Sequence, residues 1–186
     1  MKEYTVRRYS FNELQGEARE KAVTEMRQLL SAADFSYELE EYLTECVDTA
    51  VGGSNEGLEV HFSLSYCQGD GVALYGRLDR DEAPDLSWPE GASYAQLTRN
   101  QWSNHYSHYN SFNVEVFNAE DEEVEVGYIE EQLRDLCRQL ARDGYNFIEG
   151  VSSEEAALEM LAEAGEVFII DGTWSLPAGI VSEVEL

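Results

Sequence analysis

The feature that most constrains this fold is a change of hydrophobic period between residues 39 and 66. Apolar residues recur at helical spacing over 39–50, which predicts an amphipathic helix that ends at Gly52-Gly53. Over 58–66 apolar and polar residues alternate strictly, which is typical of a strand with one buried face. Turn residues at 67–71 and renewed alternation from Val72 predict an antiparallel hairpin.

The same two periods predict the other elements. They are a first strand over 1–9, helices over 10–30, over 129–143 and from a capping box at 152–155 to Ala164, and strands over 112–116 and 167–170. Residues 79–104 lack a clear period and are predicted to be a long connection. This order predicts one α+β domain over 1–186, an antiparallel sheet with about four helices packed mainly on one face.

Acidic residues dominate the charge. The chain has 38 of them against 12 basic residues in 186 positions, which gives a net charge of −26. Direct nucleic-acid binding is disfavoured because phosphates need clustered Lys and Arg, and anionic membranes are disfavoured for the same reason. The sequence shows neither a signal peptide nor a run approaching the ~20 apolar residues of a bilayer span. A soluble, cytoplasmic protein is expected.

The acids are clustered along the chain, and no Lys or Arg lies between Arg27 and Arg77. Their helical spacing predicts a first acidic stripe and a second acidic stripe, and a third group forms an acidic run. The first stripe is Glu38, Glu41, Glu45 and Asp48, the second is Glu155, Glu159 and Glu163, and the run is Glu120, Asp121, Glu122 and Glu123.

A comparison with DNA shows why clustering matters. A globule of 21.0 kDa exposes roughly 9,000 Å², so the net charge averages about one per 350 Å². Duplex DNA carries very roughly one charge per 100 Å². A protein that imitates DNA must therefore gather its carboxylates on one or two faces.

A segment rich in aromatic residues is a second candidate contact surface. Trp102, Tyr106 and Tyr109 supply rings with polar groups, which are common in protein interfaces. Packing of this segment over the sheet explains the same residues equally well.

Catalytic signatures are not apparent. The sequence has no P-loop, GxSxG, HExxH or GxGxxG motif, so we expect no catalytic residue, no metal site and no cofactor. An enzyme would use Asp70, His105 or His108 as a general base, but no nucleophile and orienting partner can be paired with them. The three cysteines have no CxxC spacing and are expected to be reduced thiols.

Several short segments carry a resemblance. They are Tyr9 to Leu14 with Ala18 to Val23, Ser65 to Val72, Tyr106 to Tyr109, and Glu166 to Gly172. In this order the chain resembles a family of small tailed-phage and prophage proteins, some of which carry the label "antitoxin of a toxin–antitoxin stability system". The resemblance implies a phage origin and supplies no catalytic residues.

Charge and resemblance together lead to a functional hypothesis. We expect a non-enzymatic phage protein that inhibits a host defence complex, in an anti-CRISPR or anti-restriction role. It would occupy a basic nucleic-acid groove, as a DNA mimic does. The alternative is an antitoxin-like protein that neutralises a basic toxin through its aromatic segment and acidic rim. Solubility or a high-salt environment would also account for the acidity.

Overall fold

The structure is a computed structural model that describes residues 7–53, 56–100, 107–169 and 171–174. The chain forms two compact units. The sheet unit is Phe35–Ile148, and the terminal unit is Met1–Asp34 together with Glu149–Leu186.

The sheet unit contains a five-stranded antiparallel sheet of order β2-β3-β4-β5-β6. Its strands are β2 Leu58–Ser63, β3 Gly71–Asp79, β4 Tyr94–Arg99, β5 Phe112–Phe117 and β6 Glu123–Val124. The described part of the chain also holds four α-helices, which confirms the predicted α+β fold.

The register separates two faces of the sheet. Leu78, Ala95 and Val116 lie directly opposite one another across β3, β4 and β5, and all three are fully buried. The buried side chains of α2 Ser36–Val51 and of α3 Ile129–Val151, such as Leu43 and Leu133, belong to the same core. Alternation along the strands places Arg77, Gln96 and Glu115 on the opposite face, which also carries the buried Ala73 and Tyr75 of β3.

The predicted helix over 39–50 and the predicted hairpin that begins at residue 58 are both confirmed. Helix α2 ends where Gly52 adopts a left-handed conformation (φ 81°), in which glycine has no steric penalty. Strands β2 and β3 pair from Leu58 opposite Gly76 to Ser63 opposite Gly71.

Two predictions for the sheet unit are wrong. The predicted connection over 79–104 contains β4, whose short apolar pattern rests on Ala95 and Leu97 alone; pairing on both sides supplies the stability that these residues lack as a local signal. The predicted helix over 129–143 does not end at Gly144 but continues as α3 to Val151, and Gly144 is buried within it. A Cβ there would lie 2.4 Å from the Leu64 side chain, so close packing explains this glycine.

The terminal unit has its own small core. Strand β1 Tyr9–Ser10 pairs with β7 Glu166–Phe168, and α1 Gly16–Ala32 contacts α4 Glu154–Glu163. Phe11, Leu14, Met26, Leu161 and Phe168 are the largest buried side chains of this core.

The predicted start of the first helix at Ser10 is wrong. The Ser10 amide does donate to the Glu13 carboxylate at 2.9 Å, as the capping box predicts. The turn is a short 3₁₀-helix, however, and the chain becomes extended at Leu14, which places Leu14 in the core before α1 begins.

Candidate acidic interface

The first acidic stripe lies on the outward side of α2. Leu39, Leu43 and Val47 are buried on the inward side of this helix. Glu38, Glu41 and Glu45 are exposed and Asp48 is half-buried, and helical geometry places all four opposite the buried residues.

The spacing of this stripe approaches that of a nucleic-acid strand. At a rise of about 1.5 Å per residue, the four carboxylates occupy about 15 Å of the helix, or one for each ~5 Å. One DNA strand carries a phosphate per ~3.4 Å of helix axis. The stripe therefore presents roughly two thirds of that linear charge density.

The exposed members of the first stripe have no compensating partner. Within the described residues, Glu38, Glu41 and Glu45 form no ion pair and no side-chain hydrogen bond. Asp48 does interact with its surroundings. Three full negative charges thus stay on one helix face, at a spacing where like charges repel.

Three arginines of the sheet unit pair with carboxylates outside α2. Arg77 donates to both carboxylate oxygens of Asp79 and stacks 3.7 Å from the Tyr94 ring centroid. Arg134 pairs with Glu130, and Arg138 pairs with Glu131 and Asp135. Hydrogen bonds from Arg138, first of all to Glu131, raise the pKa of its guanidinium. These local pairs leave the α2 carboxylates uncompensated.

The second acidic stripe lies in the terminal unit on α4. Glu155, Glu159 and Glu163 are exposed, while Ala157 and Leu161 between them are buried. None of the three carboxylates is ion-paired with another described residue. This stripe has the same chemical character as the first one.

The first three residues of the acidic run lie in the turn between β5 and β6, Glu123 begins β6, and all four side chains are exposed. The Asn118 side-chain carbonyl accepts hydrogen bonds from the amides of Glu120 and Glu122, both at 2.9 Å. The Tyr94 hydroxyl donates to Asp121 at 2.9 Å. Asp121 and Glu122, whose carboxylate also accepts from Asn118, therefore help to hold the turn.

Of the three aromatic candidates, only Tyr109 lies within the described residues. Tyr109 is half-buried, with the Arg138 guanidinium 4.2 Å from its ring centroid and the His108 ring 3.9 Å away. Trp102 and Tyr106 lie outside the described residues. The Tyr109 ring is thus already covered by neighbours of its own unit.

Asp70, which the sequence offers as a candidate general base, lies at the centre of a hydrogen-bond network that sequence reasoning missed. Asp70 accepts hydrogen bonds from the amides of Ser65 and Cys67 at 2.7 and 2.6 Å. It also accepts from the hydroxyls of Ser63 at 2.9 Å and Tyr145 at 3.1 Å. Burial raises the pKa of Asp70, but the hydrogen bonds, led by that from Cys67, outweigh it and lower this pKa. A loop-anchoring role follows from these contacts.

The remaining candidates for chemistry are histidine and cysteine side chains. His108 accepts at Nδ1 from the Asn110 amide, and burial, aided by Arg138, lowers its pKa. His105 lies outside the described residues. Burial raises the pKa of the Cys137 thiol to about 12, and Cys46 and Cys67 are also free thiols. Among the described residues, no three His, Cys, Asp or Glu side chains are placed to hold a metal ion.

No family model matches this chain, and comparison with curated proteins and with solved structures finds no match. The resemblance to phage proteins therefore stays a prediction. In the part of the chain that the structure describes, every helix is too short or too polar to cross a bilayer.

Proposed function

We propose that this chain is a non-enzymatic phage protein that inhibits a nucleic-acid-binding defence complex in the bacterial cytoplasm. The partner is a CRISPR effector or a restriction enzyme, and the acidic protein occupies the basic groove in which that partner holds nucleic acid. The first acidic stripe takes the place of phosphates.

The observation that supports this proposal is the unpaired state of Glu38, Glu41 and Glu45. Charges that serve stability are normally placed near opposite charges, as Arg134 and Glu130 are here. The three α2 carboxylates are instead repelled by one another and bind no described cation. The helix also fixes the backbone spacing of these residues, so only side-chain entropy is lost when a cationic groove binds them.

Because the proposed binding is electrostatic, it should depend on salt concentration. Attraction between an acidic protein and a basic groove raises the association rate and falls steeply with ionic strength. Inhibition is therefore expected to be strongest at low salt.

The test is a nuclease inhibition assay with matched charge variants. The stripe variant carries Glu38→Gln, Glu41→Gln and Glu45→Gln. The control variant carries Glu20→Gln, Glu90→Gln and Glu115→Gln, three exposed carboxylates outside the acidic stripes and run. Both variants lose the same net charge. At low salt we expect the stripe variant to need about tenfold more protein for half-inhibition, and the control to change by less than about twofold.

Two results contradict the mechanism. One is equal loss of inhibition in both variants, which makes overall charge sufficient. The other is inhibition that is as strong at about 0.5 M salt as at low salt, where attraction between exposed charges is screened. A pull-down from bacterial lysate identifies the partner: a nuclease complex supports this proposal, and a small basic protein supports the antitoxin-like alternative.

A further inference from the structure

The two edges of the sheet differ in their protection. Edge strands invite pairing with other chains, and proteins usually shorten them or interrupt them with Pro, Lys or bulges. Strand β6 at one edge has only two residues. Strand β2 at the other edge has six, pairs with β3 without a bulge, and contains no Pro, Lys or Arg.

The main chain of β2 exposes a regular set of hydrogen-bonding groups. The Arg77 amide donates to the Gly57 carbonyl at 2.9 Å, which makes 57 and 77 a hydrogen-bonded pair. Because such pairs alternate along an antiparallel ladder, Glu59, His61 and Ser63 direct their main-chain groups to β3. Those of Leu58, Val60 and Phe62 point away from the sheet. No described residue hydrogen-bonds them, since β2 pairs only with β3.

We propose that two copies of this chain associate through β2, antiparallel and centred on Val60, so that their sheets become one continuous sheet. The outward groups determine this register. When Val60 faces Val60 of the second copy, Leu58 faces Phe62, and the outward amides and carbonyls of all three residues are paired.

The side chains in this register are complementary on both faces. On the face that packs against the helices, Val60 and Phe62 are only partly buried as edge residues, and apolar partners would complete their burial. On the other face, Glu59 would lie opposite His61 of the second copy. Within one copy, the Glu59 carboxylate lies 3.1 Å from His61 Nε2, and the Arg99 guanidinium lies 3.2 Å from His61 Nδ1. The Glu59 side chain is 76% exposed, so each carboxylate would adjoin the imidazoles of both copies in the dimer.

Overall charge opposes this association. Each copy carries a net charge of −26, and salt screens the resulting repulsion. Dimerisation should therefore strengthen with salt, whereas the proposed binding to a basic groove weakens. The two proposals respond to ionic strength in opposite directions and can fail independently.

Sedimentation velocity over a concentration series, at low and high salt, tests the dimer. The main variant is Val60→Pro, which removes an amide that faces away from β3 and is therefore tolerated by the folded monomer. Val60→Ala is its control, because it shortens the same side chain and keeps the amide. We expect Val60→Pro to weaken dimerisation about tenfold more than Val60→Ala does. Circular dichroism and a denaturant midpoint confirm that each variant is folded.

A second pair of variants keeps the test valid if Val60→Pro does not fold. Glu59→Lys should weaken the dimer, although it reduces the repulsion between copies, because it removes the carboxylate that would face His61 of the second copy. Glu115→Lys makes the same charge change at another exposed site and should not weaken it. Hydrogen exchange supplies a local measurement: the amides of Leu58, Val60 and Phe62 should become protected as concentration rises.

Three outcomes overturn the proposal. If the chain stays monomeric at every protein concentration and salt concentration, this dimer does not form. Pairing of β2 with a strand of another protein is then the alternative. A dimer that Val60→Pro and Glu59→Lys leave intact uses a different surface. Pairing at β2 is also excluded if the hydrogen-exchange protection of all three amides does not change with protein concentration.

Discussion

At the scale of single residues, Asp70 illustrates how one carboxylate fixes a loop. Its partners lie on three parts of the chain: the end of β2, the following loop, and Tyr145 on α3. The loop also holds Tyr66 at a φ of 59°, with its ring 4.6 Å from that of Tyr145. A non-glycine residue in this left-handed region is strained, so the Asp70 contacts help to maintain a conformation that the sequence alone disfavours.

Asp70→Asn should destabilise the sheet unit by about 1–2 kcal/mol near neutral pH, because hydrogen bonds to a charged acceptor are lost. The pH dependence has a definite sign. The folded pKa lies below the ordinary value of 3.8, so the folded chain binds fewer protons than the unfolded chain as acid is added. The contribution is complete above 3.8 and is lost as the pH falls through the folded pKa.

Urea unfolding at neutral and acidic pH measures this effect. The difference between wild type and Asp70→Asn should shrink as the pH is lowered into the acidic range. Asp81→Asn, at an exposed position with no partner among the described residues, serves as the control and should be nearly neutral throughout. A constant difference at all pH values would show that Asp70 acts through packing and not through its charge.

At the scale of elements, α4 is capped one residue later than the predicted capping box over 152–155, which would place the cap at Ser152. Ser153 is the N-cap of this helix, and its hydroxyl accepts a hydrogen bond from the Ala156 amide at 3.1 Å. Ser153→Ala should cost about 1 kcal/mol of stability, since the amide loses its acceptor. Ser153→Asp should restore most of that stability, because a carboxylate also caps a helix and interacts well with its dipole. Thermal unfolding of the three proteins gives the comparison, and a failure of Ser153→Asp to recover would assign the effect to other contacts.

The elements differ in how far sequence alone predicts them. The β2–β3 hairpin and α2 were predictable because their periods are long and end at glycines, as at Gly52. Strand β4 was not, because its pairing with β3 and β5 compensates for weak local propensity. The exposed carboxylates of α2 were predictable from the spacing of Glu38, Glu41 and Glu45. The contacts of Asp121 and Asp70 were not, because Tyr94 and Tyr145 approach them only after folding.

At the scale of the whole molecule, paired and unpaired charged side chains have different roles. Arg77, Arg134 and Arg138 each neutralise carboxylates nearby and stack on aromatic rings. These three arginines therefore do not neutralise exposed carboxylates such as those of the two acidic stripes. Self-repulsion of this kind lowers the stability of a compact chain. Under the proposed function, the carboxylates are retained for binding in spite of this cost.

This cost predicts opposite effects on stability and on binding. The stripe variant with Glu38→Gln, Glu41→Gln and Glu45→Gln should unfold at a higher urea concentration than wild type at low salt. Each repulsive pair at helical spacing is worth a few tenths of a kcal/mol, so the total gain should be about 0.5 kcal/mol. High salt should remove the gain, because it screens the repulsion in wild type. The same substitutions should weaken inhibition of the nuclease. If they destabilise the fold at low salt, the carboxylates make structural contacts, and their loss could weaken inhibition without any mimicry of phosphate.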